Sequence, residues 1–357
     1  MTSPSEPAPR AAVIGTGLIG GSIALGLRAR GWHVTGTDRD KERLDRALEL
    51  GALDAIGTDE SALITFVATP VSSVADAARP ALENGGVVTD VGSVKTGIVA
   101  AVDHVRFVGG HPMAGSEQEG VDGATANLFE GATWVLTPTL DTDADAYAAV
   151  RTTVSSLGAD VIALPPERHD ALVALVSHVP HLTAAALMAL AADGAEEHAT
   201  LLRLAAGGFR DMTRIAAGHP GIWPDICSEN RDAIVGVLDQ LIGSLTAMRD
   251  VVGRADREAL LATLERARAA RVNLPATLGR SEELVEMRVP VPDRPGVIAE
   301  VTTLASELSV NIVDLEIAHS AEGERGVLLL LIDRRESDAL GEALSARGYH
   351  PAVRSLS

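Results

Sequence analysis

The chain has 357 residues, which leaves room for two or three domains, each with its own core. It is 46% hydrophobic with few aromatics, and its net charge of −19 argues against nucleic acid and anionic membrane as partners. The lone cysteine, Cys227, excludes an intrachain disulfide framework and a cysteine metal cluster.

In chain order, residues 1–9 lack an apolar signal core and read as a disordered tail, from which a cytoplasmic location is expected. The apolar run Ala11-Ala12-Val13-Ile14 then enters Gly15-Thr16-Gly17-Leu18-Ile19-Gly20, and a helical pattern follows from Ser22. Strand, glycine turn and helix form the setting that a G-x-G-x-x-G dinucleotide fingerprint needs. Gly15 permits the tight turn, Gly17 lets backbone approach a pyrophosphate, and Gly20 lets helix pack on strand. The helix start at Leu18 and Ile19 offers N–H groups to the phosphates. A second strand, His33–Thr37, ends at Asp38, the spacing of an acid that binds the adenosine ribose hydroxyls. Asp38 would repel a 2′-phosphate, so NAD is expected over NADP, although Arg39 beside it could partly reverse that choice.

Further apolar runs end in polar residues: Ile64–Ala68 in Thr69-Pro70, Gly86–Asp90 in Val91-Gly92-Ser93-Val94-Lys95, and Phe107–Gly109 in Gly110-His111-Pro112. Two later runs, Thr133–Leu136 and Asp160–Ile162, extend the pattern. The alternation predicts an α/β Rossmann-type domain with a parallel sheet over residues 10–165. Ligands sit beyond the carboxyl ends of such strands, where Thr69, Ser93 and His111 fall. Residues 166–274 read as helical throughout, with no apolar run expected to be long and charge-free enough to cross a bilayer. Such a block is expected to bury one face on a second subunit, as a homodimer. Residues 275–283 read as a linker, and residues 284–357 follow the order βαββαβ of a ferredoxin-like fold.

Several side chains could carry chemistry. His111 could accept a proton as hydride leaves the same carbinol carbon, or could simply cap its strand. Ser93 could orient that hydroxyl, or serve as a helix N-cap, or both. Lys95 reads as a solvated helix-end charge, and Glu117, next to Ser116, as a loop anchor or a surface carboxylate. Arg210 and Arg214 lie four apart on one helix face. Arg210 reads as paired with a carboxylate, and Arg214 as a clamp on a substrate carboxylate or a surface ion pair. His178 and His181 lack a third ligand in register, so hydrogen bonding is expected rather than metal binding. Trp223 could wall a ring-shaped pocket or fill core.

Taken together, V-I-G-T-G-L-I-G-G-S at Val13, D-V-G-S-V-K at Asp90 and G-G-H-P-M-A-G-S-E at Gly109 resemble the prephenate and arogenate dehydrogenases of tyrosine biosynthesis. S-H-V-P-H at Ser177, G-G-F-R-D-M-T-R-I-A at Gly207 and W-P-D-I-C-S-E-N at Trp223 complete the likeness, with Val179 where the family pattern has Leu. The resemblance implies oxidative decarboxylation of a cyclohexadienyl acid with NAD, with prephenate favoured over arogenate. It implies that His111 takes the 4-hydroxyl proton with help from Ser93 near the nicotinamide. Arg214 would then hold a substrate carboxylate and His181 would contact substrate. His178, Glu117, Ser116 and Trp223 would shape the pocket, and Thr69 and Pro70 would line the cofactor site. The tail domain, with Val291–Val297 and Asn311-Ile312, resembles an ACT module. That likeness implies an aromatic amino acid effector, tyrosine or phenylalanine, bound between subunits near Gly296 and Asn311 and lowering activity.

Two other readings compete. A β-hydroxyacid dehydrogenase would place a lysine and an asparagine on the long central helix, where this chain has His178 and His181. A non-catalytic sensor of NAD and amino acid could keep the fold without the reaction.

Overall fold

The computed structural model describes residues 8–115, 118, 120–197, 204–273, 284–292, 294, 296–308, 310–319 and 325–355. The expected linker and, apart from residues 8 and 9, the expected tail lie outside these. The chain divides into two compact units, Met1–Val272 and Asn273–Ser357.

The first unit is built on eight strands: β1 (Arg10–Ile14), β2 (His33–Thr37), β3 (Ala55–Ile56), β4 (Ile64–Val67), β5 (Val87–Asp90), β6 (Phe107–Pro112), β7 (Thr133–Thr137) and β8 (Asp160–Ala163). Their order is β3-β2-β1-β4-β5-β6-β7-β8. Neighbours are parallel except β6 and β7, which run antiparallel. The fully parallel expectation is corrected at that one step. Among the described residues of the β6–β7 connection there is a short 3-10 turn, Val121–Gly123, and not the crossover helix that a parallel return needs.

Helices α1 (Leu18–Ala29), α2 (Lys41–Glu49), α3 (Val74–Glu83), α4 (Thr96–Val102) and α5 (Ala144–Ser156) cover the sheet. Phe66 and Val67 are neighbours in β4, both 0% exposed, and they belong to different core clusters. Phe66 packs with Ile23, Leu27 and Trp134, whereas Val67 packs with Val74, Val88 and Ile98. Because successive side chains face opposite sides, a strand buried on both faces needs apolar or small side chains on each, which is why Ile64, Phe66 and Val67 of β4 show no alternation.

The helical part follows: α6 (Pro166–Val173), α7 (Val179–Glu197), α8 (Gly207–Thr213), α9 (Trp223–Glu229), α10 (Arg231–Gly253) and α11 (Arg257–Val272). A π turn, Ala174–His178, joins α6 to α7, and the Val179 N–H reaches back five residues to Ala174 O. The π turn falls just before Pro180, which has no N–H of its own to place. Contrary to expectation, the stretch Pro166–Gly194 is long and apolar enough to cross a membrane by length and composition. Residues 171–192 contain no Asp, Glu, Lys or Arg. Its histidines are nevertheless engaged within the protein, as described below.

The second unit contains β9 (Leu284–Pro292), α12 (Val297–Glu307), β10 (Ile312–His319), β11 (Arg325–Asp333), α13 (Arg334–Ala346) and β12 (Ala352–Ser355). The sheet order is β10-β11-β9-β12, antiparallel throughout. Met287, Leu328, Leu330, Val301 and Leu340 form its core. Gly296, at φ +91°, caps the start of α12 in the left-handed region that glycine adopts without strain. Asn311 precedes β10, and its N–H donates to Glu336 Oε2 at 3.3 Å.

Candidate active site

The glycine loop joins β1 to α1. Gly15 has φ +94°, and a Cβ there would collide with the Ala68 carbonyl on the neighbouring β4 loop. A Cβ at Gly20 would collide with Gly15 O, so both positions are demanded by the fold itself. Gly17 differs, because a Cβ there would meet nothing within 4 Å. Its lack of a side chain serves whatever approaches the loop. Gly17 also caps α1 without a side-chain bond, and the first helical bond runs from Gly21 N to Gly17 O. The N–H groups of Leu18, Ile19 and Gly20 precede that bond, the arrangement that receives anions.

A cleft of about 570 Å³ opens here, lined by Gly15, Gly17, Asp38, Arg39, Thr69 and Pro70 together with Arg43. Asp38 Oδ2 accepts the Thr16 N–H at 2.7 Å and the Thr16 hydroxyl at 3.1 Å, so the acid also holds the glycine loop in place. The Thr69 hydroxyl is buried and has no protein partner. An orphaned hydroxyl, an open glycine and a free helix start in one cleft are what the phosphates and ribose of a dinucleotide require. These residues fit NAD.

His111 lies within β6, opposite Val135 of β7, rather than after the strand as its neighbours suggested. Gly110 lets β6 lie close to β5, since a Cβ there would stand 2.6 Å from Asp90 O. Asp90 is 0% exposed, and it accepts N–H groups from Gly110 at 3.0 Å and Gly92 at 2.8 Å. Its remaining partner is Lys95, which is also 0% exposed and ion-paired with it. The expectation of a solvated Lys95 is therefore wrong: the ammonium neutralises a carboxylate under the site. Ser93 does not cap a helix either. The N-cap of α4 is Lys95, and the N–H groups of Lys95 and Thr96 go to Asp170 Oδ1 and Oδ2, each at 2.8 Å. Ser93 is half-buried in the turn before them.

A hydrogen-bonded line then leaves His111. Its Nδ1 lies 2.8 Å from His169 Nε2, and His169 Nδ1 lies 2.7 Å from Asp170 Oδ1. Both residues belong to α6 and escaped the sequence reading. The pair His169-Asp170 is visible as such, but nothing in its spacing ties it to an imidazole 58 residues earlier. Burial, with help from His169, Lys95 and His178, holds His111 well below the ordinary imidazole value, against the opposing pull of Asp170. Burial works to raise Asp170, but hydrogen bonds from His169, Thr96 and Lys95 outweigh it and hold the carboxyl below its usual range.

From Asp170 the network crosses to the helices. Asn230 Nδ2 donates to the Asp170 carbonyl at 2.9 Å and lies 3.2 Å from His178 Nδ1. His178 is buried, and that burial pushes its pKa down to about 4. His181 stacks on Trp223 with centroids 3.7 Å apart and planes 15° from parallel, while His178 meets the same ring edge-on at 6.2 Å. Trp223 therefore gathers both histidines. Arg214 opens a 3-10 turn, Arg214–Ala217, where the helix that carries Arg210 ends. Arg210 donates from Nε to the Ala205 carbonyl at 3.2 Å. Arg214 is exposed in the single chain, and its turn packs beside α7, with Gly218 near His181. Ser116 and Glu117 lie outside the described residues. Among the described residues no group of three or more His, Cys, Asp or Glu could hold a metal ion.

Comparison with known proteins gives this geometry a lineage. Residues 23–163 match the prephenate dehydrogenase nucleotide-binding domain, and residues 165–266 match the prephenate dehydrogenase dimerization domain. The prephenate dehydrogenase of Bacillus subtilis (strain 168) is 35% identical over 351 residues, covering 92% of this chain and 94% of its own. The crystal structure of a prephenate dehydrogenase from A. aeolicus, in complex with hydroxyphenyl propionate and NAD+, is 31% identical with a TM-score of 0.71. It covers 76% of this chain and 100% of its own. The Synechocystis arogenate dehydrogenase structure is 32% identical with a TM-score of 0.66, covering 73% of this chain and 98% of its own. With a glycine cleft fitted to a dinucleotide, an imidazole line leading from β6 and likeness along nearly the whole length, this chain belongs to the prephenate dehydrogenase family.

Proposed function

We propose that the protein carries out the NAD-dependent oxidative decarboxylation of prephenate to 4-hydroxyphenylpyruvate. The observation that carries this reading is His111, a half-buried imidazole held well below its ordinary pKa. It stands at the carboxyl end of a strand in the same sheet whose other carboxyl ends line the cofactor cleft. NAD, when bound, supplies the hydride acceptor. His111 accepts the hydrogen bond of the 4-hydroxyl and carries its proton while the ring C–H electron pair departs. The electrons of the bond to the departing carboxylate complete the aromatic ring, and the proton returns to the phenol oxygen. Ser93 orients the hydroxyl, Arg214 holds a substrate carboxylate, and His181 with Trp223 walls the ring pocket. His178 shapes that pocket, a role that the family likeness also implies for Ser116 and Glu117. The protein supplies position and charge placement, since aromatisation provides the driving force.

The test is a nicotinamide absorbance assay with prephenate and with arogenate, each with NAD and with NADP. Turnover of prephenate with NAD is expected. Asp38 in the cleft supports NAD over NADP. His111→Ala should lower turnover by roughly two to four decades while NAD still binds. Turnover of arogenate alone would move the reading to arogenate dehydrogenase, a possibility kept open by the likeness to the Synechocystis structure.

Two finer readings belong with this one. The helical part acts as the dimer contact, supported by exposed Val176, Met212, Ile242 and Leu245 and by the matched dimerization domain. A light-scattering mass of one chain would remove it. The second unit acts as an ACT module that binds tyrosine or phenylalanine near Gly296 and Asn311 and lowers activity. Its support is the strand–helix–strand–strand–helix–strand order and the left-handed Gly296 turn. Deleting residues beyond Arg280 should abolish inhibition by tyrosine, and unchanged inhibition would move the regulatory site elsewhere.

A further inference from the structure

We infer that His169 and Asp170 are positioning residues that fix His111 as the tautomer protonated on Nδ1, leaving the Nε2 lone pair for the substrate hydroxyl. The inference deepens the proposed reaction and rests on it for what the lone pair receives, but the tautomer stands on the hydrogen bonds alone.

Asp170 anchors the line. Its carboxylate takes two backbone N–H groups, from Lys95 and Thr96, and an ionised carboxylate can only accept. His169 Nδ1, 2.7 Å from Oδ1, must therefore be an N–H donor. A neutral imidazole with Nδ1 protonated presents Nε2 as an acceptor. His111 Nδ1, 2.8 Å from that atom, must then donate, and a neutral His111 has no second proton for Nε2. The charged and titratable groups around His111 are His169, Asp170, Lys95 and His178. His169 is 0% exposed, and the Asp170 carboxylate beside it is already shared with two backbone N–H groups.

The same residue sets His178 the other way. Asn230 must turn its NH₂ toward the Asp170 carbonyl, and the second N–H of that group faces His178 Nδ1. His178 therefore accepts on Nδ1 and carries its proton on Nε2. Asp170 thus gives one histidine a free lone pair and the other a free N–H. When His111 takes the hydroxyl proton on Nε2, its Nδ1–H stays bonded to His169, and no proton need pass along the line. The proton then returns to the product oxygen.

The experiment is a long-range proton–nitrogen spectrum of the full-length protein labelled with nitrogen-15 histidine, recorded at about pH 8, above the ordinary imidazole value. Signals are assigned by their loss in His111→Asn and His178→Asn. The expected result is His111 protonated on Nδ1 and His178 on Nε2. His111 protonated on Nε2 would overturn the inference whatever the enzyme's activity. His169→Phe should release the Nδ1 tautomer and lower kcat by about a hundred- to ten-thousand-fold with KM for NAD unchanged. His169→Gln, whose amide oxygen can accept from Nδ1–H, should recover part of that loss. An unchanged His111 tautomer in a folded His169→Phe protein would equally defeat it. If the wild type turned over neither cyclohexadienyl acid, the proposed reaction would fall, and the spectrum would still decide the tautomer.

Discussion

The carboxylate of Asp170 accepts the backbone N–H of Lys95 at 2.8 Å, across 75 residues of chain. A side chain of the helical part thereby caps α4 of the sheet layer and, through the same oxygen, holds His169. The contact that joins the two parts of the first unit is also the root of the imidazole line, so stability and chemistry are coupled at this residue.

Asp170→Ala should therefore fail on both counts. It leaves two N–H groups of α4 and one of His169 without their acceptor in a buried setting, at a cost of about 1–3 kcal/mol. A denaturant midpoint equal to the wild type would contradict the cap, and a normal kcat would contradict the link to His111.

Activity should resist acid. His111 works as the neutral imidazole, and burial and its neighbours hold it well below the ordinary value of 6.5. A depressed value means that the base stays unprotonated as pH falls through 6.5, so the acid limb of kcat/KM should lie below that point. A profile that has already lost half its value at pH 6.5 would mean a more solvated base than this.

The two inner glycines should separate fold from cofactor. Gly20→Ala drives a methyl into Gly15 O and should lower thermal stability and NAD binding together. Gly17→Ala meets open space, so Tm should hold while NAD affinity falls, because only the bound pyrophosphate would meet the methyl. Equal effects of the two on Tm would refute the assignment.

Lys95→Met should be among the most destabilising single changes. It strands Asp90 as a buried carboxylate without its cation, at about 3–5 kcal/mol. Lys95→Met combined with Asp90→Asn should recover part of this loss in urea unfolding, and a double variant no better than the single would remove the pair as the cause.

His178 should make stability fall in mild acid. Its pKa drops from 6.5 in the unfolded chain to about 4 in the fold. Between those values the unfolded chain takes up the proton and the folded chain does not, so stability declines as pH falls from 6.5 toward 4. A His178→Asn variant should lose less Tm over that interval than the wild type, and parallel curves would refute the shift.

The sheet, its glycine turn and the helical block were legible because they rest on local pattern. Apolar runs closed by glycine or proline mark strands, and Asp38 stands at the end of β2 where such a fold uses an acid. Lys95 defeats a local reading for the opposite reason. A lysine before a helix is ordinarily solvated, and only the approach of β5 and β6 encloses it beside Asp90. The helix that carries Arg210 tightens into a 3-10 turn at Arg214, a change that the four-residue spacing does not announce.

The chain by itself determined the layers, the cofactor turn and the family, since these depend on residue spacing along a strand or a helix. Tertiary structure alone decided which groups meet His111: His169 and Asp170 arrive from α6, and Asn230 from the start of α10 ties in His178. Hydrogen bonds act over about 3 Å of space and are indifferent to sequence distance, so no periodicity announces them.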